Sequence, residues 1–199
     1  KKNHISVSPE ANLIFGDNEL NIFKKISKKI SILLLQQEIP LPANIELLKI
    51  SNESGIKTIY DPGPPNKYRN YDYFKFVDFL TPNKHEAEFI LGRKINGNEL
   101  KAATELKNYG AKHVIITLGS EGLVYSGDFV KFFKPIKANS IDPVGSGDCF
   151  NGALASMINK GENILNSINF AQKAASLSTK KKGASQSFPF INEIITAFL

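Results

Sequence analysis

The chain has 199 residues, 42% of them apolar, with 25 Lys and Arg against 19 Asp and Glu. That length and apolar share suit a globular domain with a real core and exclude a disordered or fibrous chain. The formal charge of +6 comes from scattered lysines, apart from Lys24, Lys25, Lys28 and Lys29 and the run Lys180–Lys182; such runs read as solvated faces, so no nucleic-acid partner is expected.

No apolar run reaches the roughly 18 to 20 residues that cross a bilayer. The start, KKNHISVSPE, lacks the apolar core of a secretory signal, so a soluble protein with no membrane partner is expected. Cys149 is the only cysteine. It rules out an internal disulfide and points to a reducing compartment, the cytoplasm being the simplest. The sequence begins at Lys1 and its one methionine is Met157, so a processed or excised piece is expected.

Taken in chain order, residues 3–8 alternate like a strand, and 17–30 carry Leu20, Phe23, Ile26 and Ile30 at helical spacing behind Asp17 as cap. The short apolar run 31–37 predicts a central strand covered on both faces. Pro42 opens a helix ending near Gly55. Strands follow at 56–61 and 77–81, helices at 83–91 and 97–109, and a buried strand at 112–119. This repetition predicts an α/β fold, a doubly wound, Rossmann-like and mostly parallel sheet with helices on both faces. Residues 122–126 and 129–134, joined by Gly127-Asp128, predict an antiparallel hairpin at its edge. A further strand is expected at 136–141 and helices at 147–159, 162–178 and 190–198. No repeat, low-complexity run or linker divides the sequence, so one domain over 1–199 is expected.

The segment with the most chemical content is Asp142-Pro143-Val144-Gly145-Ser146-Gly147-Asp148. Small residues at a helix N-terminus let backbone N–H groups approach an anion such as a phosphate. A carboxylate beside such a hole would repel that anion unless it has another task, and general base towards an attacking hydroxyl is one. A helix cap and a tight turn would use the same residues equally well. Cys149, in the first turn of that helix, is either a thiol of lowered pKa or a buried and inert small side chain.

The stretch DPVGSGDCFNGALA (142–155) resembles the signature of the ribokinase-like (PfkB-type) carbohydrate kinases. QQEIPL (36–41), TPNKHEAEFILG (81–92), VIITLGSEGLVY (114–125) and TKKKGASQSFP (179–189) follow the same family in the same order. QQEIP and DPGPP (61–65) resemble its ribokinase branch. The resemblance implies ATP-dependent phosphorylation of D-ribose to D-ribose 5-phosphate, with Asp148 as base and the amides of Gly145, Ser146 and Gly147 as anion hole. It implies Glu38 as an acid that binds the sugar. It places Asn83, Thr117, Leu118, Gly119, Ser120, Glu121, Gly122, Gly147 and Gln172 along ATP. Asn83 and Glu86 are implied to hold Mg²⁺ through water, and a capping arrangement would account for that pair as well. Asp142, Val144, Ser178, Lys181, Gly183 and Ser187 are implied to hold K⁺.

Pro143, Ser146 and Cys149 stand where the family pattern has Thr, Ala and commonly Thr. Family members also carry a long segment ahead of the position of Lys1, with the first strands of the sheet, a small β lid that closes over the sugar, and a dimer contact. An incomplete domain without the lid, an exposed sheet edge and a homodimeric intact protein are therefore expected. Kinases for deoxyribose, adenosine or another small sugar or nucleoside, and a noncatalytic nucleotide-binding module, are the alternatives.

Overall fold

The computed structural model describes residues 8–65 and 68–198. They fall into two compact units, one ending at Phe133 and the other starting at Lys134. The strand expected at 3–8 lies outside the described residues, Ser8 apart.

The first unit runs α1 (Asp17–Ile26), β1 (Ile32–Gln36), α2 (Leu41–Glu53), β2 (Lys57–Asp61), β3 (Phe79–Leu80), α3 (Lys84–Leu91), α4 (Glu99–Lys107), β4 (His113–Thr117), β5 (Leu123–Ser126) and β6 (Val130–Phe133). The six strands form one sheet in the order β1 to β6. β1 to β4 are mutually parallel, and β5 and β6 add to β4 as an antiparallel meander. The α/β class, the mostly parallel sheet and the antiparallel edge are therefore as the sequence predicts.

Alternation along each strand divides the core. Tyr60, Leu80, Val114 and Ile116 pack with Leu47 and Leu48 of α2, Ala87 and Ile90 of α3, and Ala102 and Leu106 of α4. Ile59, Phe79 and Ile115 point to the opposite face and are buried too. A parallel sheet covered on both faces is what apolar strands without a polar side require.

Several elements depart from the pattern-based expectation. β1 is an edge strand among the described residues and not a central one, since only β2 pairs with it, and Leu34 is 42% exposed. α1 starts with Asp17 as its first helical residue, and Glu19 reaches back to accept from Gly16 N–H at 2.8 Å. It gives way at Ser27 to a short 3₁₀ turn. β3 is cut to two residues because side chains replace its ladder: Asp78 Oδ2 accepts from Thr58 N–H at 2.8 Å, and Asp78 N–H donates to Thr58 Oγ1 at 2.9 Å.

The second unit contains α5 (Ser146–Asn159), α6 (Ile164–Ser178) and α7 (Ile191–Ala197). The strand expected at 136–141 is not formed; the segment is irregular. Ser176 Oγ on α6 donates to its Ile136 C=O at 3.3 Å, and just ahead of it Gln172 Nε2 donates to Lys134 C=O at 3.3 Å. A period-2 pattern registers extended chain but not the partner that would make it a strand. No helix among the described residues is long and apolar enough to cross a membrane.

Candidate active site

In the second unit the chain enters α5 through a left-handed residue, Gly145, with φ +76°. A Cβ there would also sit 3.0 Å from Ala184 Cβ, so both conformation and space call for glycine. Ser146 N–H donates to Pro143 C=O at 3.2 Å and Cys149 N–H to Gly145 C=O at 2.9 Å. The amides of Gly145 and Gly147 have no partner among the described residues. Of the three amides expected to make an anion hole, two are open and Ser146 is engaged in the turn that presents them. Gly147 has open space where a side chain would stand. Asp148, third residue of α5, is exposed and lines a cleft of about 250 Å³ with Gly152, Ala153, Phe170, Phe188 and Ile194.

Asp142 is the anchor of this loop. Its Oδ1 accepts from Val144 N–H at 3.1 Å and its Oδ2 from Gly183 N–H at 3.0 Å. These two amides hold the carboxyl below its ordinary pKa, the Gly183 bond contributing most. Ile141 N–H and Asp142 N–H both donate to Thr179 C=O, at 2.7 and 3.0 Å, which joins the loop to the segment after α6. Of the residues expected around K⁺, Asp142, Val144 and Gly183 are thus bonded together, and the Ser178 carbonyl accepts from Lys181 N–H at 3.4 Å. The carbonyls of Val144, Lys181 and Gly183 accept nothing from the described residues. Ser187 Oγ donates to Ala184 C=O at 2.7 Å and keeps its lone pairs. One carboxylate and several open carbonyls form an all-oxygen donor set of the kind a hard cation takes, so these residues fit the ion.

Cys149 is buried, and burial pushes its thiol pKa up despite a hydrogen bond with Ser178. The reading of a lowered pKa fails here: a place in the first turn of a helix does not activate a thiol that has lost its water. Gln172 spends its amide on the Lys134 carbonyl.

In the first unit, the candidate residues line the C-terminal ends of the parallel strands, where loops of such sheets bind ligands. Glu38 follows β1 and is exposed. Asn83 follows β3 and bridges to Thr117 at the end of β4, and Thr117 N–H donates to Pro82 C=O at 3.0 Å. Gly119 and Gly122 have φ of +60° and +104° and enclose a 3₁₀ turn with Ser120 and Glu121. Leu118 N–H donates to Gly122 C=O at 2.9 Å and closes that loop. Lys84 Nζ reaches Glu121 at 3.4 Å and Glu99 at 3.7 Å.

Asn83 and Glu86 form a full capping box. Asn83 Oδ1 accepts from Glu86 N–H at 3.0 Å, Asn83 N–H donates to Glu86 Oε2 at 2.7 Å, and Asn83 Nδ2 donates to Glu86 Oε1 at 2.6 Å. Glu86 is only 9% exposed. Burial raises its pKa, and the Asn83 bonds offset part of that rise. Capping is therefore built, and the pair's open lone pairs suit contact with a cation through water rather than direct ligation. Among the described residues no three His, Cys, Asp or Glu gather as a metal cluster.

Sequence reasoning passed over three residues here. Asn44 and Tyr60 hold the residues before Glu38, and Gly63 lies against Glu86, whose Oε1 would meet a Cβ at residue 63. A tyrosine inside the apolar strand run KTIYD was a legible signal, because a buried phenol requires a partner.

Residues 3–191 match the sequence profile of the pfkB family of carbohydrate kinases. The chain belongs to that family. This pfkB-family chain is 34% identical over 194 residues to the ribokinase of Lactococcus lactis subsp. lactis, covering 96% of its own length and 62% of the relative's. It is 32% identical over 197 residues to the ribokinase of Staphylococcus aureus, covering 97% and 64%. The crystal structure of Thermotoga maritima ribokinase superposes with a TM-score of 0.86 at 32% identity, over 98% of this chain and 65% of that one. Arabidopsis thaliana ribokinase complexed with ribose and ATP gives 0.82 at 28% identity, over 92% and 59%. The pfkB-family chain described here thus spans a little under two thirds of the length of the relatives it matches.

Proposed function

We propose that this chain supplies the phosphoryl-transfer and nucleotide-binding part of an ATP-dependent ribokinase, which converts D-ribose to D-ribose 5-phosphate, and that both units belong to one kinase domain. The observation that carries the reading is the loop 142–148. In a chain of the pfkB family it presents two open amides, on Gly145 and Gly147, at the start of a 14-residue helix, with an exposed carboxylate on the third residue of that helix.

In this reading Asp148 takes the proton of the sugar's primary hydroxyl as its oxygen attacks the γ-phosphorus. The bond from γ-phosphorus to the bridging oxygen breaks, and ADP leaves with that oxygen. The Gly145–Gly147 turn places its amides against the charge that builds on the transferring group, and their dipoles are already aligned by the helix start. Asp142 keeps that turn in shape through its bonds to Val144 and Gly183. Glu38 accepts hydroxyls of the sugar. Thr117 to Gly122, Asn83 and Gln172 border the nucleotide, Gln172 after releasing the Lys134 carbonyl. Asn83 and Glu86 would hold Mg²⁺ through its waters, an ion that supplies neutralisation of phosphate charge. Asp142, Val144, Ser178, Lys181, Gly183 and Ser187 would hold K⁺, which supplies a fixed positive charge beside the turn. The reading includes a cytoplasmic homodimer for the intact protein, tested by its sedimentation.

The experiment is ADP release from D-ribose, ATP, Mg²⁺ and K⁺ by the full-length protein, beside its Asp148→Ala variant. Ribose-dependent turnover that falls by at least about a hundredfold in the variant is expected. Turnover that survives Asp148→Ala would remove the base, and none with ribose in the unaltered protein would remove the sugar assignment.

A further inference from the structure

The two residues before Glu38 are held from three directions. Asn44 Nδ2, on α2, donates to Gln36 C=O at 2.9 Å. Tyr60 OH, on β2, donates to Gln37 Oε1 at 3.0 Å. Gln37 N–H donates to Gly63 C=O at 2.9 Å.

Both side-chain donors are fully buried, Asn44 and Tyr60 each at 0% exposure. The other end of the Asn44 amide, Oδ1, is buried with no partner among the described residues. An apolar residue at 44 and a phenylalanine at 60 would fill nearly the same space without an orphaned oxygen or a phenol in need of an acceptor. Core stability alone therefore does not account for either polar group. Asn44 bonds to Gln36, and Tyr60 bonds to Gln37 as well as meeting the Tyr73 hydroxyl; the next residue is Glu38.

Glu38 is exposed, and its carboxylate has no hydrogen-bond or ion-pair partner among the described residues. Nothing orients this carboxylate except its own backbone. That backbone is fixed on one side by the bonds of Gln36 C=O and Gln37 N–H, with Tyr60 acting through the Gln37 side chain, and on the other by the entry to α2 at Pro40. A binding group whose chain is already ordered loses less entropy when its ligand arrives.

We propose that Asn44 and Tyr60 are positioning residues for Glu38, setting the affinity of the site for the sugar without touching it. The inference rests on the reading of Glu38 as the acid that binds the sugar. The test uses the full-length protein, with ADP release measured at varied D-ribose and then at varied ATP. Tyr60→Phe and Asn44→Leu are each expected to raise the KM for ribose about fivefold, which is about 1 kcal/mol at 1.4 kcal/mol per decade, and to leave the KM for ATP unchanged. In a Glu38→Ala background the same substitutions are expected to add nothing, because the group they position is gone.

Loss of one partner of a buried hydrogen bond also costs stability, so the paired variant Gln37→Leu with Tyr60→Phe, which removes both polar ends, separates the two effects. It is expected to recover the melting temperature and keep the raised ribose KM. An unchanged ribose KM in Tyr60→Phe and Asn44→Leu, in a protein whose Glu38→Ala variant loses ribose affinity, overturns the positioning role and leaves Glu38 standing. A silent Glu38→Ala substitution, or no turnover of ribose by the unaltered protein, overturns the reading of Glu38 and the inference with it.

Discussion

Asn83→Ala tests how far the capping box at the start of α3 supports the buried Glu86. The substitution deletes Oδ1, which caps Glu86 N–H at 3.0 Å, and Nδ2, which donates to Glu86 Oε1 at 2.6 Å; only the bond from Asn83 N–H to Oε2 would survive. Loss of a side-chain cap costs about 1 kcal/mol. Leaving one oxygen of a carboxylate that is 9% exposed without its donor adds about 1 to 3 kcal/mol. The sum, about 2 to 4 kcal/mol, corresponds to a fall in melting temperature of about 5 to 15 °C for a chain of this size.

The pH dependence gives a second reading of the same variant. The folded pKa of Glu86 is raised by burial above its ordinary value, and the bonds from Asn83 lower it. A carboxyl with a raised folded pKa contributes stability that is present below the unfolded pKa and lost as pH rises through the folded one. Removing Asn83 raises the folded pKa further, so the deficit of the variant should be smallest in acid and widen towards neutrality. Urea denaturation followed by circular dichroism across that range measures it. Asn83→Ser, which keeps the cap and drops the donor, should recover about 1 kcal/mol. A variant within about 0.5 kcal/mol of the unaltered protein, or a deficit that does not change with pH, would refute the account of Glu86 as a carboxylate maintained by its cap.

Asp142 shows the opposite sign. Its folded pKa is lowered by the Gly183 and Val144 amides, so the loop is secured above the ordinary pKa and released as pH falls through the folded value, and the protection of those two amides against hydrogen exchange, relative to the intrinsic rate, should fall only in acid. His113, stacked on Phe79 and bonded through Nδ1 to Tyr125 OH at 2.8 Å, has its pKa lowered by burial. Its contribution is complete above its ordinary pKa and declines below it, so the melting temperature should fall as pH drops below about 6.5, and less so in His113→Phe. Cys149 should react slowly with a disulfide reagent in the native protein and quickly in urea, since burial raises its thiol pKa; equal rates would remove that account. Ser51 Oγ is fully buried without a partner among the described residues, so Ser51→Ala should be neutral or stabilise by up to about 1 kcal/mol in denaturant titrations.

Most of the sheet was legible in the sequence because its strands are short apolar runs separated by helices of helical period, a signal that local pattern carries by itself. The exceptions share one cause. β1 has the composition of a central strand and lies at an edge among the described residues, since composition does not record how many neighbours a strand has. Residues 136–141 have an extended pattern, yet the side chain that bonds the Ile136 carbonyl is Ser176, about forty residues away on a helix. β3 shortens because one aspartate and one threonine exchange bonds across the strands. Each depends on a pairing between distant positions, which periodicity does not encode.

The candidate site divides along the same line. Gly145 and Gly147, Asp142 and Asp148 lie within one short run that residue type and spacing single out, and the structure ties Val144 and the distant Gly183 to the Asp142 carboxylate. Cys149 was ambiguous because position in a helix and burial act on a thiol in opposite directions, and only packing decides which is larger; here burial is. Asn44 and Tyr60 lay in plain view as polar interruptions of an apolar face and an apolar strand, but their meaning depends on where their donors point. Once that direction is known, the buried Asn44 amide and the buried Tyr60 phenol cease to be defects of the core, because each gives a hydrogen bond to one of the two residues before Glu38. A fold that tolerates an unsatisfied polar atom on the helix that follows the proposed sugar-binding acid is bearing a local cost whose return is to be sought in affinity rather than in stability.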